Sequence, residues 1–389
     1  MNSTSTSPEF EMEIEPSGFS KSKCGYCHST SPTSHQFGFW GHGLSPQYYQ
    51  KLLNAGWRRS GSYLYLPYHP STCCPPYPIR CSAKSFKPTK SQRQTLKRWK
   101  NFLIGPTSVE QAGSSSSSSN KPFDLIDLFN QAESNPKNPD SHDFKIKLEP
   151  AAFSEEKYNL YQRYQVEIHH DPPTKTTRSS FHSFLCESPF SLIPIPSSNN
   201  LPPVPGAYHA SYYLDEKLIG LSVLDILPEG ISSVYFIWEP TLSSLSLGKV
   251  SALRELAWIQ SWFQSNEKLP KFEYYFLGFY IHSCTKMKYK AEYQPSELLN
   301  PLTKQWHFFH SCLPKPEETD HPIFEDTDPT IQQERQFDTQ AMLYFNSPST
   351  TPYLFLKMDI DTLIELTKVA LGEELSKEVE WITQFDVIQ

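Results

Sequence analysis

The sequence lacks acidic residues over a long stretch near its start. No Asp or Glu occurs between Glu15 and Glu110, although the 389-residue chain contains 42 of them. The same stretch holds 13 of the 35 Lys and Arg residues, so a block of charge +13 precedes a remainder with 22 basic and 42 acidic residues. A charge split of this kind predicts a polyanion as the partner of the first part, with an ordinary basic protein face as the plainer alternative.

Long apolar runs are also missing. A membrane helix needs about 20 consecutive apolar residues, and no run in the sequence approaches that length. The opening MNSTSTSPEFEMEIEPS does not have the basic-then-apolar order of a signal peptide. We therefore expect a soluble intracellular protein with no membrane partner, in which the eight cysteines are thiols or metal ligands rather than disulfides.

Proline, serine and threonine cluster where no core is expected. The chain has 34 prolines, and stretches such as GSSSSSSNKP cannot bury enough apolar surface to offset the entropy lost on ordering. The predicted organisation is a disordered terminus at 1–20, a basic metal-binding domain at 21–105, a linker at 106–145, a catalytic domain at 146–312, and an acidic extension at 313–389 with a helix near 361–371.

The remaining patterns predict an α+β fold. Ser45 is suited to cap a helix over 46–55 and Ser91 to cap a second helix, QRQTLKRWKNFL. Further along, we expect a helix near 154–168, three strands at 207–214, 218–227 and 231–240, a helix at 249–264 and a strand at 273–283. A β-meander, then a helix, then another strand is typical of the mixed sheet of acetyltransferase-like (GNAT-like) folds. This order of elements indicates the architecture of the domain more than the substrate that it binds.

Four cysteines form a specific constellation. CGYC places Cys24 and Cys27 at the spacing of a metal-binding turn, and Cys73 and Cys74 are adjacent in TCCPP. A disulfide between adjacent cysteines is strained, whereas a shared metal centre has no such difficulty. Zinc and an iron–sulfur cluster both accept four thiolates, so the spacing does not choose between them. The alternative to a metal site is that some of these cysteines are small buried residues. The spare ligands that could replace one thiol are His28, His42 and His69.

Several blocks together resemble one family. KCGYCHS, YYQKLLNAGWRRSGSYLYLP and TCCPPYPIR resemble the N-terminal domain of eukaryotic arginyl-tRNA:protein arginyltransferases, and SFHSFLCESPF and SLGKVSALRELA resemble their C-terminal domain. The resemblance implies transfer of arginine from Arg-tRNA to proteins beginning with Asp, Glu or oxidised Cys, which marks them for ubiquitin-dependent degradation through the N-degron route. It also implies a metal held by the four cysteines, and a location in the cytoplasm with the nucleus as a second compartment.

Candidate site residues follow from the chemistry of acyl transfer, which needs an aligned ester, a neutral amine and a stabilised oxyanion. Asp225 is the first candidate for the base and Glu255 the second; either could instead hold the arginine guanidinium, and Glu255 could be a solvated helix position. If the strand at 273–283 continues, Lys286, Lys288 and Lys290 lie on one side of it. The candidates for substrate binding are Arg254, Tyr280, His282, Lys286, Lys288, Tyr289, Gly248 and Lys249.

The loop SLSLGKV precedes a predicted helix and offers backbone N–H groups to an anion, for which the terminal nucleotides of tRNA are the expected occupant. A coenzyme A-dependent N-acyltransferase is one rival function, but LSLGK contains a single glycine. The other rival, a non-catalytic metal-stabilised RNA-binding protein, would leave the catalytic-domain blocks without a role. The candidates for contacts with tRNA phosphates are Arg58, Arg59, Arg80, Lys84, Lys90, Arg93, Lys97 and Arg98.

Overall fold

A computed structural model of the chain describes residues 13–105, 124–133, 140–190, 204–265, 271–312 and 322–325. It contains helices on both faces of a large mixed sheet and a second, smaller sheet, so the expected α+β class is confirmed. The elements are, in chain order, β1 (Glu13–Ser22), β2 (Ser34–His42), α1 (Pro46–Asn54), β3 (Arg58–Ser60), β4 (Tyr63–Pro67), β5 (Tyr77–Ser82), α2 (Lys90–Ile104), α3 (Leu125–Glu133), β6 (Phe144–Pro150), α4 (Glu155–Ile168), α5 (Arg178–Phe181), β7 (Gly206–Leu214), β8 (Lys217–Leu227), β9 (Gly230–Trp238), α6 (Leu247–Ser265), β10 (Tyr274–Tyr280), α7 (Thr285–Lys288), β11 (Ser296–Leu299) and β12 (Trp306–Phe308).

The small sheet is antiparallel with the strand order β1-β2-β4-β3. Helix α1 follows β2 and begins as predicted, because the Ser45 side chain accepts a hydrogen bond from the Tyr48 N–H and Pro46 occupies the first turn. The prediction of disorder for residues 1–20 is wrong from residue 13 onwards. That segment forms β1, whose backbone pairs with β2 from Glu13 opposite His42 to Ser22 opposite Ser34.

The large sheet has eight strands in the order β12-β11-β5-β10-β9-β8-β7-β6. Strands β9 and β10 are parallel and are connected through α6, while the other neighbouring pairs are antiparallel. Strand β5 belongs to the segment predicted as a separate N-terminal domain, yet it lies between β10 and β11. The two predicted domains therefore share one sheet.

Apolar side chains pack on both faces of this sheet. On one face, Trp99 of α2, Phe129 of α3 and Leu253 of α6 belong to one buried cluster. On the other face, Tyr161 of α4 packs in a second cluster, and α1 with the small sheet closes a third around Phe276. The sheet is thus covered by α6, α2 and α3 on one side and by α4 and α1 on the other.

Local details differ from the sequence predictions at two positions. Helix α2 begins at Lys90 and is capped by Thr89, not Ser91, because Thr89 and Gln92 satisfy each other's backbone N–H groups in a capping box. The strand predicted to run to residue 283 ends at Tyr280, and Thr285–Lys288 is helical, so the extended alternation of the three lysines is wrong. The predicted helix near 361–371 lies outside the described residues. Among the helices that are described, none is long and apolar enough to cross a membrane.

Candidate active site and metal centre

Strands β9 and β10 part from each other in the middle of the large sheet. Their parallel pairing joins Tyr274–Phe276 to Gly230–Ser232, although β9 continues to Trp238 and β10 to Tyr280. The register of β10 against β5 shifts between Phe276 and Phe279, and Gly278 in this bulge has φ +73°, a conformation that glycine adopts without strain. We call the opening between the diverging strands the β9–β10 cleft.

The N-terminus of α6 lies beside this cleft. A Cβ atom on Gly248 would lie 3.9 Å from the Phe236 ring of β9, so the first turn of the helix borders the diverging part of that strand. The Arg98 guanidinium donates to the Ser246 hydroxyl at 3.0 Å, and the Lys249 ammonium lies 3.1 Å from a Glu292 carboxylate oxygen. The Arg98 guanidinium and the positive end of a helix dipole therefore meet at the place where the sequence predicted an anion, while the Lys249 charge is paired with Glu292.

Lys290 lies at the same opening, on the side of β10. Its ammonium donates to the Phe279 carbonyl at 2.9 Å, while Arg58 donates to the neighbouring Gly278 carbonyl at 3.4 Å. Burial, reinforced by the charge of Arg58, lowers the pKa of Lys290 to about 7. Part of the Lys290 side chain is therefore neutral near pH 7.

Asp225, the first candidate for the base, is fully buried in an ion pair. Its carboxylate accepts two hydrogen bonds from the Arg59 guanidinium, at 2.7 and 2.9 Å. Burial raises the pKa of the Asp225 carboxyl, and the Arg59 charge opposes that shift. This pair joins the small sheet to β8, and both carboxylate oxygens of Asp225 are occupied by Arg59.

Glu255, the second candidate, is also fully buried and is not a solvated helix position. Its carboxyl group accepts hydrogen bonds from the Ser222 hydroxyl at 2.7 Å and the Tyr275 hydroxyl at 2.6 Å. Burial raises its pKa to about 7. Tyr275 belongs to the short paired part of β10, so Glu255 anchors the part of the sheet from which the two strands diverge.

The predicted substrate-binding residues differ in how far they are buried. Arg254 is corrected, because its guanidinium is buried, pairs with Glu133 of α3 and lies 3.7 Å from the centre of the Phe129 ring. Tyr280 and His282 are brought together, with the hydroxyl 2.8 Å from the imidazole Nδ1. The exposed members of the set are Lys286, Lys288 and Tyr289, all on the helical turns that follow β10.

The predicted tRNA-binding residues differ in the same way. Arg58, Arg59 and Arg80 are at most 9% exposed, which corrects their assignment to phosphate contacts. Arg80 lies between the rings of Tyr274 and Trp306 and pairs with Glu297 at 2.7 Å. The candidates with exposed side chains are Lys84, Lys90, Arg93, Lys97 and Arg98, on α2 and the segment before it.

The four predicted metal ligands converge. The sulfur atoms of Cys24, Cys27, Cys73 and Cys74 all lie within 4.8 Å of one another, so the cluster can hold a metal. Thr33 fixes the second pair, because its carbonyl accepts from the Cys73 N–H at 3.0 Å. The spare ligand His69 is turned away from the thiols, with its Nε2 atom 3.0 Å from the Pro76 carbonyl oxygen.

The metal cluster is packed against the segment that leaves the cleft. Cys24 and Cys74 are buried together with Ile281, and the side chains of Cys284 and Met287 cover them. The sequence offered no signal for this contact, because more than 200 residues separate the two parts of the chain. The centre therefore supports the same turns that carry Lys286, Lys288 and Lys290.

Comparisons with known proteins match both parts of the chain. A family profile described as "Arginine-tRNA-protein transferase, N terminus" matches residues 22–94, and one described as "Arginine-tRNA-protein transferase, C terminus" matches residues 156–300. The chain is similar to arginyl-tRNA–protein transferase 1 of Arabidopsis thaliana, with 28% identity over 81% of this chain and 76% of that protein.

Two further relatives extend the comparison. Arginyl-tRNA–protein transferase 1 of Drosophila melanogaster is 31% identical over 74% of this chain and 80% of its own length. An aspartate/glutamate leucyltransferase of Marinobacter nauticus is 28% identical over 66% of this chain and 81% of that protein. The two profiles cover the metal centre and the β9–β10 cleft in the order in which the chain builds them, and together they span more than half of it. The chain therefore belongs to the arginyl-tRNA–protein transferase family.

Proposed function

We propose that this protein transfers arginine from Arg-tRNA to the α-amino group of acceptor proteins whose first residue is acidic. The observation that carries the proposal is the β9–β10 cleft, with the N-terminus of α6 on one side and Lys290 on the other. An aminoacyl ester can enter between strands whose backbone groups are released from pairing. The expected cellular consequence is degradation of the modified protein through the ubiquitin route.

The reaction requires one bond to form and one to break. The neutral α-amine of the acceptor attacks the ester carbonyl carbon, the new N–C bond forms, and the C–O bond to the tRNA ribose breaks. The amine loses a proton in this step, and the ribose oxygen gains one. We assign Lys290 as the group that takes up the first proton, because its lowered pKa keeps part of it neutral near pH 7.

An acidic first residue needs a cation within reach of the cleft. Lys286 and Lys288 are exposed on α7, directly after the end of β10, and supply that charge. Lys290 is the less suitable partner, because burial and the nearby Arg58 favour its neutral form. The two exposed lysines are therefore the proposed determinants of acceptor selectivity.

For the metal centre we propose a single tetrahedral ion, with zinc as the expected metal. Zinc–sulfur bonds of about 2.3 Å in tetrahedral geometry place thiolates about 3.8 Å apart. The sulfur separations, all within 4.8 Å and 3.5 Å between Cys27 and Cys73, fit this spacing. A cluster would need room for several irons and sulfides between the same thiolates. The ion would fix the two cysteine segments and, through them, the turns after β10.

A transfer assay tests the proposal. Purified protein is incubated with radiolabelled Arg-tRNA and peptides that differ only in their first residue, which is Asp, Asn or Lys. We expect label on the Asp peptide and at least tenfold less on the other two. Equal labelling of all three would contradict the acidic selectivity, and label on none, with a folded and metal-loaded protein, would contradict the transferase activity.

A further inference from the structure

One face of the small sheet carries a row of aromatic rings that the proposed chemistry does not use. Tyr63 and Tyr65 alternate along β4 with Leu64 and Leu66, which pack in the core beneath α1. Because side chains alternate between the faces of a strand, the two tyrosines lie on the opposite, outer face. Trp40 of β2 is the cross-strand partner of Tyr63, and their ring centroids are 5.0 Å apart.

The row continues from the small sheet to the cleft. The rings of Tyr63 and Tyr65 are nearly parallel, with an interplanar angle of 15° and centroids 6.4 Å apart. The next ring is Phe279 of β10, 6.1 Å from Tyr65. The Phe279 carbonyl accepts from Lys290, and the Arg58 guanidinium lies 5.3 Å from the centre of the Phe279 ring. The row therefore leads from the surface to the edge of the candidate active site.

A glycine keeps the central ring flat on the sheet. A Cβ atom at Gly38 would lie 1.9 Å from the Tyr63 hydroxyl oxygen, so the tyrosine lies across the backbone of β2 instead of standing upright. A ring in this position turns its other face away from the sheet. Trp40 is 42% exposed, and Tyr63 and Tyr65 are half-buried, so three aromatic side chains remain accessible in a row.

The charge around the row suits a polyanion. Strands β2, β3 and β4 lie in the part of the chain that contains no Asp or Glu. The acidic residues beside the row lie at the end far from the cleft, where Glu15 of β1 is opposite Trp40 and Glu187 packs beside Gly61 in the turn between β3 and β4. At the near end the charged group is the buried Arg58, beside Lys290, whose neutral form burial favours. The acidic side chains near the row therefore lie at the end far from the cleft, and the end near the cleft holds a cation.

We propose that Trp40, Tyr63 and Tyr65 form a stacking platform for the unpaired nucleotides at the 3′ end of the aminoacyl-tRNA. Proteins bind unpaired nucleotides by stacking their bases on aromatic side chains, often on the open face of a sheet. The ester to be cleaved is at the end of such an unpaired segment, which must reach the β9–β10 cleft. The platform holds that segment and directs it along the row. This inference rests on the proposed function.

The test compares two forms of the same Arg-accepting tRNA. One is intact, and the other, the shortened tRNA, lacks the unpaired nucleotides at its 3′ end. Equilibrium binding is measured at fixed salt for wild-type protein and for Trp40→Ala, Tyr63→Ala and Tyr63→Phe. Loss of one base–aromatic stack weakens binding by about fivefold or more. We expect that loss for both alanine variants with intact tRNA, no change with shortened tRNA, and near wild-type binding for Tyr63→Phe, which keeps the ring.

A matched control is Phe308→Ala, which removes a 67% exposed ring from the edge strand β12, outside the row, and should leave both affinities unchanged. Thermal unfolding of each variant separates a defect in stacking from a defect in folding, and the exposed Trp40 keeps the test valid if Tyr63→Ala is unstable.

Equal weakening of intact and shortened tRNA would overturn the proposal. A raised KM for the acceptor peptide with unchanged tRNA affinity would assign the platform to the acceptor and would overturn it as well. Absence of transfer by the wild-type protein would instead contradict the proposed function.

Discussion

Two arginine side chains of the basic segment are buried in ion pairs, although the sequence predicted that they contact phosphate. Arg59 and Arg80 are predicted from sequence to meet phosphate, yet each is buried against a carboxylate that lies far along the chain, Asp225 and Glu297. A block without acids indicates an exposed basic surface only if no carboxylate from another part of the chain packs against it. Here the partners are supplied by other strands, so sequence alone identified the charged residues but not their environments.

Breaking the Arg59–Asp225 pair should destabilise the fold. Asp225→Asn leaves the Arg59 charge buried without its partner, and we expect a loss of about 3–5 kcal/mol in the free energy of unfolding. The double variant Arg59→Met/Asp225→Leu should recover most of that loss. Urea unfolding provides the measurement, and Glu155→Gln, in the exposed pair with Arg178, is the control with no measurable loss. A stable Asp225→Asn protein without transfer activity would contradict the structural role.

Lys290 should determine the pH dependence of transfer. A base acts when it is deprotonated, so the single-turnover rate should rise as pH increases through about 7, the lowered pKa of this lysine. In Lys290→Met the rate should be lower, and its midpoint should move to about 7.7–8.0, the pKa of a free α-amine. The control Lys271→Met changes an exposed lysine before β10 and should keep the wild-type profile. An unchanged midpoint in Lys290→Met would contradict the assignment.

At the scale of elements, the sequence predicted the helices and the β-meander well, because each has a local signal. Ser45 with Pro46, the turns that bound the strands β7 to β9, and the apolar stripe of α2 act within a few residues. The parting of β9 and β10 has no such signal. It follows from pairing between strands and from the positive φ of Gly278, both of which depend on the assembled sheet.

The exposed face of α2 should bind tRNA through charge. Arg93→Gln with Lys97→Gln should weaken binding and lower the slope of log affinity against log salt by about one unit for each phosphate that is no longer neutralised. Binding measured over a range of salt concentrations provides both quantities. Lys175→Gln, an exposed change beyond α4, serves as the control. If the double variant keeps the wild-type slope, α2 is not the phosphate-binding helix.

At the scale of the whole molecule, the two regions matched by the family profiles form one assembly. Strand β5 lies within the large sheet, the Arg59–Asp225 pair joins the sheets, and Cys24 and Cys74 of the metal cluster pack on the segment Ile281–Met287. The sequence predicted the four-thiol cluster, because adjacent cysteines cannot easily pair with each other. It did not predict that this cluster supports the segment carrying Lys290.

Loss of the metal should therefore weaken transfer without any change in the cleft residues. Cys73→Ser removes one ligand, and we expect metal release together with a loss of transfer activity, although Cys73 does not touch the reacting amine. Metal content per chain is measured by elemental analysis of anaerobically purified protein. Cys284→Ser, which changes a thiol beside the centre but outside the four ligands, should retain the metal. Full activity of a metal-free Cys73→Ser protein would contradict the link.

The most direct measurement of the central claim is mass spectrometry of a peptide that begins with Asp, after incubation with the wild-type protein and either Arg-tRNA or Leu-tRNA. The same peptide with an acetylated α-amine is the control. We predict one added arginyl group from Arg-tRNA, none from Leu-tRNA, and none on the acetylated peptide. An unmodified peptide in every reaction, or leucine in place of arginine, would contradict the account.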